Sequence, residues 1–294
     1  PQTRCRALQG NAVDSDSCDR RRSRRARFDP RPLTHCAILA DPDGQNGAMR
    51  GYHDASYGDG FADVYDEWYH GISDINSTVA TLRTLADGGP VLELGVGTGR
   101  LAIPLAATGV EVHGLDTSHA MLDRLAAKPG GEQVHALVGD MVDGMPAGKF
   151  ALVFIAYNTF FNLLTHERQQ QCFHEVAARL APGGKLVIEA FVPDPDGQQA
   201  ASVSVRSVTV DRVVLSVNTS HPGEQRAEGQ YIDLTESGGV KLRPWSIRWA
   251  TPEQLDDMAV AAGLRLWARW ESFAQEPFGP DSPRHVSVFT TATV

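Results

Sequence analysis

The stretch Val91-Leu92-Glu93-Leu94-Gly95-Val96-Gly97-Thr98-Gly99-Arg100-Leu101 constrains this chain more than any other. An apolar run breaks into three glycines at alternate positions, and an apolar, helix-compatible segment, 101–107, follows at once. The pattern predicts a buried parallel strand, a tight turn and a helix start. Glycine reaches backbone angles closed to other residues and lets a ligand lie against the main chain. The spacing is not the G-x-G-x-x-G dinucleotide fingerprint, whose third glycine packs helix on strand while a pyrophosphate sits at the helix N-terminus. Here the order is G-x-G-x-G with Glu93 two positions ahead. A carboxylate there disfavours a pyrophosphate and suits a ligand carrying an ammonium or sulfonium group. Taken alone, the motif also fits an ordinary strand–helix turn.

An acidic residue followed by G-x-G-x-G resembles the first motif of the class I S-adenosylmethionine (SAM) dependent methyltransferases. The resemblance implies that Gly95, Gly97 and Gly99 lie along the amino-acid part of SAM, with Glu93 beside it. Two further acids fall at expected strand tips. Glu111-Val112-His113-Gly114-Leu115-Asp116 reads as a second strand ending in an acid able to accept from ribose hydroxyls, a rule shared with dinucleotide sites. Val134 to Met141 reads as a third strand ending Gly139-Asp140-Met141. By resemblance Asp140 accepts from the adenine amine, Met141 packs on the ring, and Thr117, Met121 and Ala156 complete the cofactor contacts; Asp140 also fits a simple turn cap, and Met121 a core position. Ser118 is placed to cap a helix with Met121, Leu122 and Leu125 on one face.

Ahead of the first strand, Tyr57 to Tyr69 is rich in aromatic residues, with a helix expected from Phe61 to about His70 and another from Ser77 to Ala86. It reads equally as an amphipathic helix packing Phe61, Tyr65 and Trp68 and as a lid over the cleft. The spacing of Tyr57, Tyr65 and Asp66 resembles the lid of N-methyltransferases acting on amino sugars and peptide N-termini, which implies that Tyr57 closes over SAM.

The continuously apolar run 150–156 fits a strand buried on both faces. It gives way abruptly to Tyr157-Asn158-Thr159-Phe160-Phe161-Asn162. Ligands sit outside the carboxyl ends of strands in open α/β sheets, so the methyl acceptor belongs here. The D/N-P-P-Y motif of enzymes acting on nucleic-acid bases or protein amides is absent, and Asn-Thr-Phe-Phe resembles natural-product and linaridin-type peptide N-terminal methyltransferases. Candidate acceptor-pocket residues are Tyr157, Asn158, Asn162, His166 and Glu189, with Tyr157, Asn162 and His166 as catalytic candidates. Asn162 is also placed to cap the following helix, 167–180, and His166 to lie on its exposed first turn.

From Val203 the pattern alternates with period two over 203–210, 212–219, 227–235 and 240–248, predicting an antiparallel insertion after the fifth strand. Thr251-Pro252-Glu253 opens a helix that Gly263 ends. The 11-residue link between segments 264–273 and 285–291 is too short for a crossover helix, so these pair as a closing antiparallel hairpin. The expected fold is α/β: a Rossmann-like, seven-stranded, mostly parallel sheet with that hairpin and the insertion. The expected division is a disordered leader over 1–48, a SAM-binding core with lid over 49–192, a β cap over 193–250, and a return to the core over 251–294. The leader holds six arginines between Arg20 and Arg27 and no apolar periodicity, and Met49 is the expected natural start.

The rest carries 18 basic and 30 acidic side chains, a net of −12, which argues against nucleic acid as the main partner. No apolar run is long enough to span a bilayer. Three of four cysteines lie in the leader, in no disulfide or zinc pattern, so a cytoplasmic setting is expected. No metal-ligand or Ser-His-Asp set competes. The expected function is methyl transfer from SAM to an amine, or a hydroxyl, of a small molecule or peptide N-terminus, with a homodimer left open. The alternatives are an NAD(P)-linked oxidoreductase and a SAM-binding protein without catalysis.

Overall fold

The computed structural model describes residues 49–194 and 200–291. The leader reading therefore lies outside the described residues.

In chain order the elements are α1 (Ser56–Phe61), α2 (Tyr65–Trp68), α3 (Ile75–Ala86), β1 (Val91–Leu94), α4 (Ala102–Ala106), β2 (Val112–Asp116), α5 (His119–Ala126), β3 (Val134–Val138), β4 (Phe150–Ile155), α6 (His166–Arg179) and β5 (Leu180–Phe191). Then come β6 (Ala200–Val208), β7 (Arg212–His221), β8 (Arg226–Thr235), β9 (Gly239–Arg248), α7 (Pro252–Ala261), β10 (Leu264–Trp270) and β11 (Arg284–Thr291). A seven-stranded sheet runs β10-β11-β5-β4-β1-β2-β3. β1 to β5 are parallel, and β11 is antiparallel to both neighbours. This is the expected α/β sheet with its closing hairpin. All four residues of β1 are buried, as a central parallel strand requires.

Alternation along the strands feeds two cores. Leu92, Leu94, Val153 and Ile155 meet α6 and α7 on one face. Val91, Leu152 and Phe154 meet α3, α4 and α5 on the other. The opposed polar side chain on β1 is Glu93, which shares the second face and is 4% exposed.

The helices begin where a side chain can satisfy their first amides. Ser118 accepts from the Met121 N–H, and Thr251 and Gln254 form a reciprocal capping box. Two boundaries differ from expectation. α3 starts at Ile75 because the Asp74 carboxylate accepts from the Asn76 and Ser77 amides. The helix expected from Phe61 to His70 is two short helices, α1 beginning earlier at Ser56, with a break at 62–64. The break sends Asp63 outward to Arg243 while Phe61, fully buried, stacks on Tyr57 at 4.5 Å and meets Tyr231 edge-on at 5.7 Å.

The predicted insertion is a second sheet, β6-β7-β8-β9, antiparallel throughout. A charged chain ties it to α2 and to the turn between α1 and α2. Arg243, 2% exposed, pairs with Asp63 and with Asp233 at 3.1 Å; Arg212 grips Asp233 at 2.7 Å and reaches Glu67 at 3.0 Å. Trp68 lies under the Arg212 and Arg243 guanidinium groups. Among the described residues no helix is long and apolar enough to cross a membrane.

Candidate active site

The cleft opens at the carboxyl ends of β1, β2 and β3. Gly95, Gly97 and Gly99 all have positive φ. A Cβ on Gly95 would meet the Thr159 methyl at 2.3 Å, so this glycine lets the loop after β4 close on the turn. A Cβ on Gly97 would meet nothing within 4 Å. It faces open space, and its N–H donates to Asp116 Oδ2 at 2.8 Å.

That space is a cavity of about 670 Å³, within the usual range for small-ligand sites. Of the expected cofactor residues, Tyr57, Gly95, Gly97, Asp116, Thr117, Met121, Asp140 and Met141 line it. Of the catalytic candidates, Asn162 lines it. Glu93, Gly99, Ala156 and Tyr157 lie behind the lining. His166 is exposed and outside it: Thr165, not Asn162, caps α6, and while Thr165, Glu167 and Arg168 line the cavity, His166 faces solvent.

Asp116 is oriented by two amides, Gly97 N–H on one oxygen and Ser118 N–H on the other at 2.9 Å. Burial still raises its pKa above the ordinary carboxylate value. Each oxygen keeps a lone pair for a hydroxyl of a bound ribose. Asp140 is built into the adjoining turn: its Oδ1 accepts from the Val142 and Asp143 amides at 2.7 and 3.1 Å and from Arg168 at 2.5 Å, leaving Oδ2 for a cavity ligand. Leu115, Met121, Met141 and Leu163 give this end an apolar wall suited to a flat ring.

Behind the glycine turn, outside the lining, Glu93 is buried with Oε2 unpaired among the described residues. Burial pushes its carboxyl well above the usual range, against the pull of Arg100. A buried acceptor without a donor is costly, and a bound ammonium would satisfy it. The residues therefore fit SAM: a ribose acid, a ring slot with an acceptor at its edge, an open glycine backbone and an orphaned carboxylate.

Tyr65, read from the sequence as a packing or lid residue, also lines the cavity, as does the segment 49–54, which sequence reasoning passed over; Thr117 Oγ1 ties that segment down by donating to the Asp54 carbonyl at 3.0 Å. Its only sequence signal is proximity to the aromatic lid. Beyond Tyr65 lies a tyrosine cluster. Tyr57 and Tyr69 hydroxyls are 3.1 Å apart, Tyr65 and Tyr69 rings 4.7 Å, and Tyr69 and Tyr157 rings 5.7 Å. Tyr157 and Asn158 both have positive φ (52° and 65°), uncommon for side chains of this size. This corner clamps β5. Tyr157 N–H donates to Glu189 Oε2 at 2.9 Å, Asn158 N–H to the Glu189 carbonyl, and Asn158 Oδ1 accepts from Phe191 N–H.

Residues 91–184 match the family described as "Methyltransferase domain". The chain is 33% identical to the cypemycin N-terminal methyltransferase of a Streptomyces species, over 65% of this chain and 79% of that protein. It is 38% identical to the demethylmenaquinone methyltransferase of Thermus thermophilus, over 60% and 74%. The solved structure of the CcbJ methyltransferase from Streptomyces caelestis superposes with a TM-score of 0.75 at 37% identity, covering 82% of this chain and all of that one. With the glycine turn, the acids at successive strand ends and the sheet order already in place, these likenesses show that the chain belongs to the class I SAM-dependent methyltransferases and is an enzyme of that family.

Proposed function

We propose that this enzyme methylates an amine nitrogen, on a small molecule or a peptide N-terminus, at the carboxyl ends of β4 and β5. The observation that carries the reading is the cluster of tyrosine rings and carboxylates there: Tyr57, Tyr65, Tyr69 and Tyr157 with the buried Glu93 and the half-buried Glu189. Aromatic faces and carboxylates attract cations, and both a sulfonium and a protonated amine are cationic. The relative named as acting on the cypemycin N-terminus supports the same choice.

SAM supplies an activated methyl group on sulfur; the residues described here hold it and prepare the acceptor. Asp116 takes the ribose, Gly95 and Gly97 the amino-acid backbone, Asp140 and Met141 the base, with Thr117, Met121 and Ala156 around them and Tyr57 closing from the lid. The acceptor nitrogen needs its lone pair in line with the methyl group, and alignment supplies a large share of such a rate enhancement. An ammonium must first lose one proton. Glu189, whose Oε2 accepts from the Tyr157 N–H, is the carboxylate assigned to the acceptor side, and desolvation raises its pKa toward the range where it can receive that proton. Tyr157 and Asn162 flank the acceptor; His166 is dropped from this role by its exposure. Burial raises the pKa values of Tyr57, Tyr65 and Tyr69, so these phenols stay protonated and serve a hydroxyl acceptor poorly as bases. In this reading β6–β9 form a cap, over 193–250, on a core made of 49–192 and 251–294.

The test is a panel of acceptors with SAM: peptides with free and acetylated N-termini, amino sugars, and the matching hydroxyl compounds. Methylation confined to free amines supports the reading; methylation confined to hydroxyl compounds overturns it.

A further inference from the structure

Three guanidinium groups gather around the Trp68 ring, and one of them differs from the others. Arg212 and Arg243, 5.6 and 5.3 Å from the ring centre, share Asp233 and reach a second acid each, Glu67 and Asp63. Arg206 comes closer, at 4.7 Å, and also stands 5.2 Å from the centre of the Tyr231 ring and 5.6 Å from that of Tyr69. Its Nη2 donates to the Trp68 carbonyl at 3.1 Å, and among the described residues no carboxylate pairs with it. Arg206 is exposed on the outer strand β6. The register of β6 against β7 shifts between Val205 and Ser207, which leaves Arg206 as the extra residue of a bulge. A bulge re-aims a side chain, and this one turns the guanidinium over Trp68 and Tyr231.

A guanidinium carries five N–H donors in one plane. Here the aromatic faces hold it by cation–π attraction, and the Trp68 carbonyl takes one donor. The rest of the fork is left for a planar or tetrahedral anion. The cage adjoins the acceptor side: Tyr69 belongs to both, its ring 5.7 Å from that of Tyr157. Glu189 and Arg206 are among the charged groups that bear on the Tyr157 phenol. A carboxylate on β5 and an unpaired cation on β6 thus face the same tyrosine. A molecule with an ammonium at one end and an anion at the other matches that pair. We propose that Arg206 binds an anionic group of the methyl acceptor, a carboxylate or a phosphate, while the acceptor nitrogen lies toward Tyr157 and Glu189. The acceptor class is then an amine that also carries an anion. The proposal rests on the amine reading of the acceptor site and narrows it; an arginine that only pinned β6 to α2 would be indifferent to the acceptor's charge.

The experiment measures kcat/KM of the full chain, with SAM, for two matched pairs of acceptors. One pair is the dipeptide alanylalanine and its C-terminal amide; the other is glucosamine 6-phosphate and glucosamine. Each pair keeps the amine and changes the anion, and the two pairs separate a carboxylate from a phosphate. Wild type is expected to favour the anionic member of one pair by about tenfold or more, as suits a charge-assisted bond. In Arg206→Met the two members of that pair come within about threefold of each other, while affinity for S-adenosylhomocysteine stays within about twofold of wild type, which shows that the variant folds. Arg206→Lys, which keeps the charge and the ring contact but not the fork, recovers part of the preference. Amines methylated by wild type with no preference for the anionic member, or a preference that survives in Arg206→Met, overturn the proposal and leave the amine reading intact. Failure of wild type to methylate any amine overturns both.

Discussion

Gly97 donates its backbone N–H to Asp116 Oδ2 at 2.8 Å, joining the middle glycine of the turn to the acid at the tip of the next strand. The open backbone and the ribose acceptor are one unit: moving either displaces the other.

The flanking glycine is held for a different reason. Gly95→Ala places a methyl group 2.3 Å from Thr159 Cγ2 at a positive φ. The expected cost is about 2 kcal/mol or more in unfolding free energy. Thr159→Ser, which deletes that methyl, should restore part of it in the double variant. Chemical denaturation of the four proteins measures the coupling; strict additivity would mean the contact is not the cause.

The link between the α1–α2 turn and the second sheet rests on Arg243. Arg243→Met strips Asp233, 5% exposed, of one partner and leaves Asp63 held to β9 by the exposed Lys241 pair alone. A loss of about 3 kcal/mol is expected, the scale for breaking a buried pair. Lys241→Met, at an exposed pair with the same Asp63, should cost under about 1 kcal/mol. Equal costs in thermal unfolding would contradict the assignment of the lid anchor to Arg243.

His285 sets an acid limit on stability. It is fully buried on β11, its Nδ1 paired with the Ser287 hydroxyl, and desolvation with help from Arg269 lowers its pKa to about 4. The unfolded chain protonates near pH 6.5 and the folded one does not, so stability falls as pH drops from about 6.5 to about 4 and this contribution levels off below. The total is about 3 kcal/mol. His285→Gln should flatten that part of the stability–pH curve; an unchanged slope would locate the titration elsewhere.

Much of this was legible before the fold was known. The glycine turn and the acids Glu93, Asp116 and Asp140 are local signals, since turn chemistry and strand ends are written within a few residues. Helix starts carry their own caps, as at Ser118 and Thr251. Long-range partners leave no such trace. Nothing near Asp63 indicates that Arg243, 180 residues later, will bend the lid helix at that point. His166 lies where its second reading put it: with Thr165 as the cap, it sits exposed on the first turn of α6.

Glu189 gives the acceptor side its own test. Glu189→Gln keeps an acceptor oxygen for the Tyr157 N–H and removes the base. S-adenosylhomocysteine affinity should stay within about twofold, while kcat/KM for a methylated amine falls about a hundredfold. In wild type that rate should rise as pH rises through the burial-raised Glu189 pKa, since the ionised form takes the proton. A variant with wild-type rate and pH profile would remove Glu189 from the chemistry.

The most direct measurement is calorimetric titration of wild type and Asp116→Ala with S-adenosylhomocysteine and with NAD. The account predicts binding of S-adenosylhomocysteine alone, weakened about tenfold or more in the variant by loss of the ribose acceptor and of the Gly97 tether. Binding of NAD in place of S-adenosylhomocysteine, or an affinity indifferent to Asp116, would contradict it.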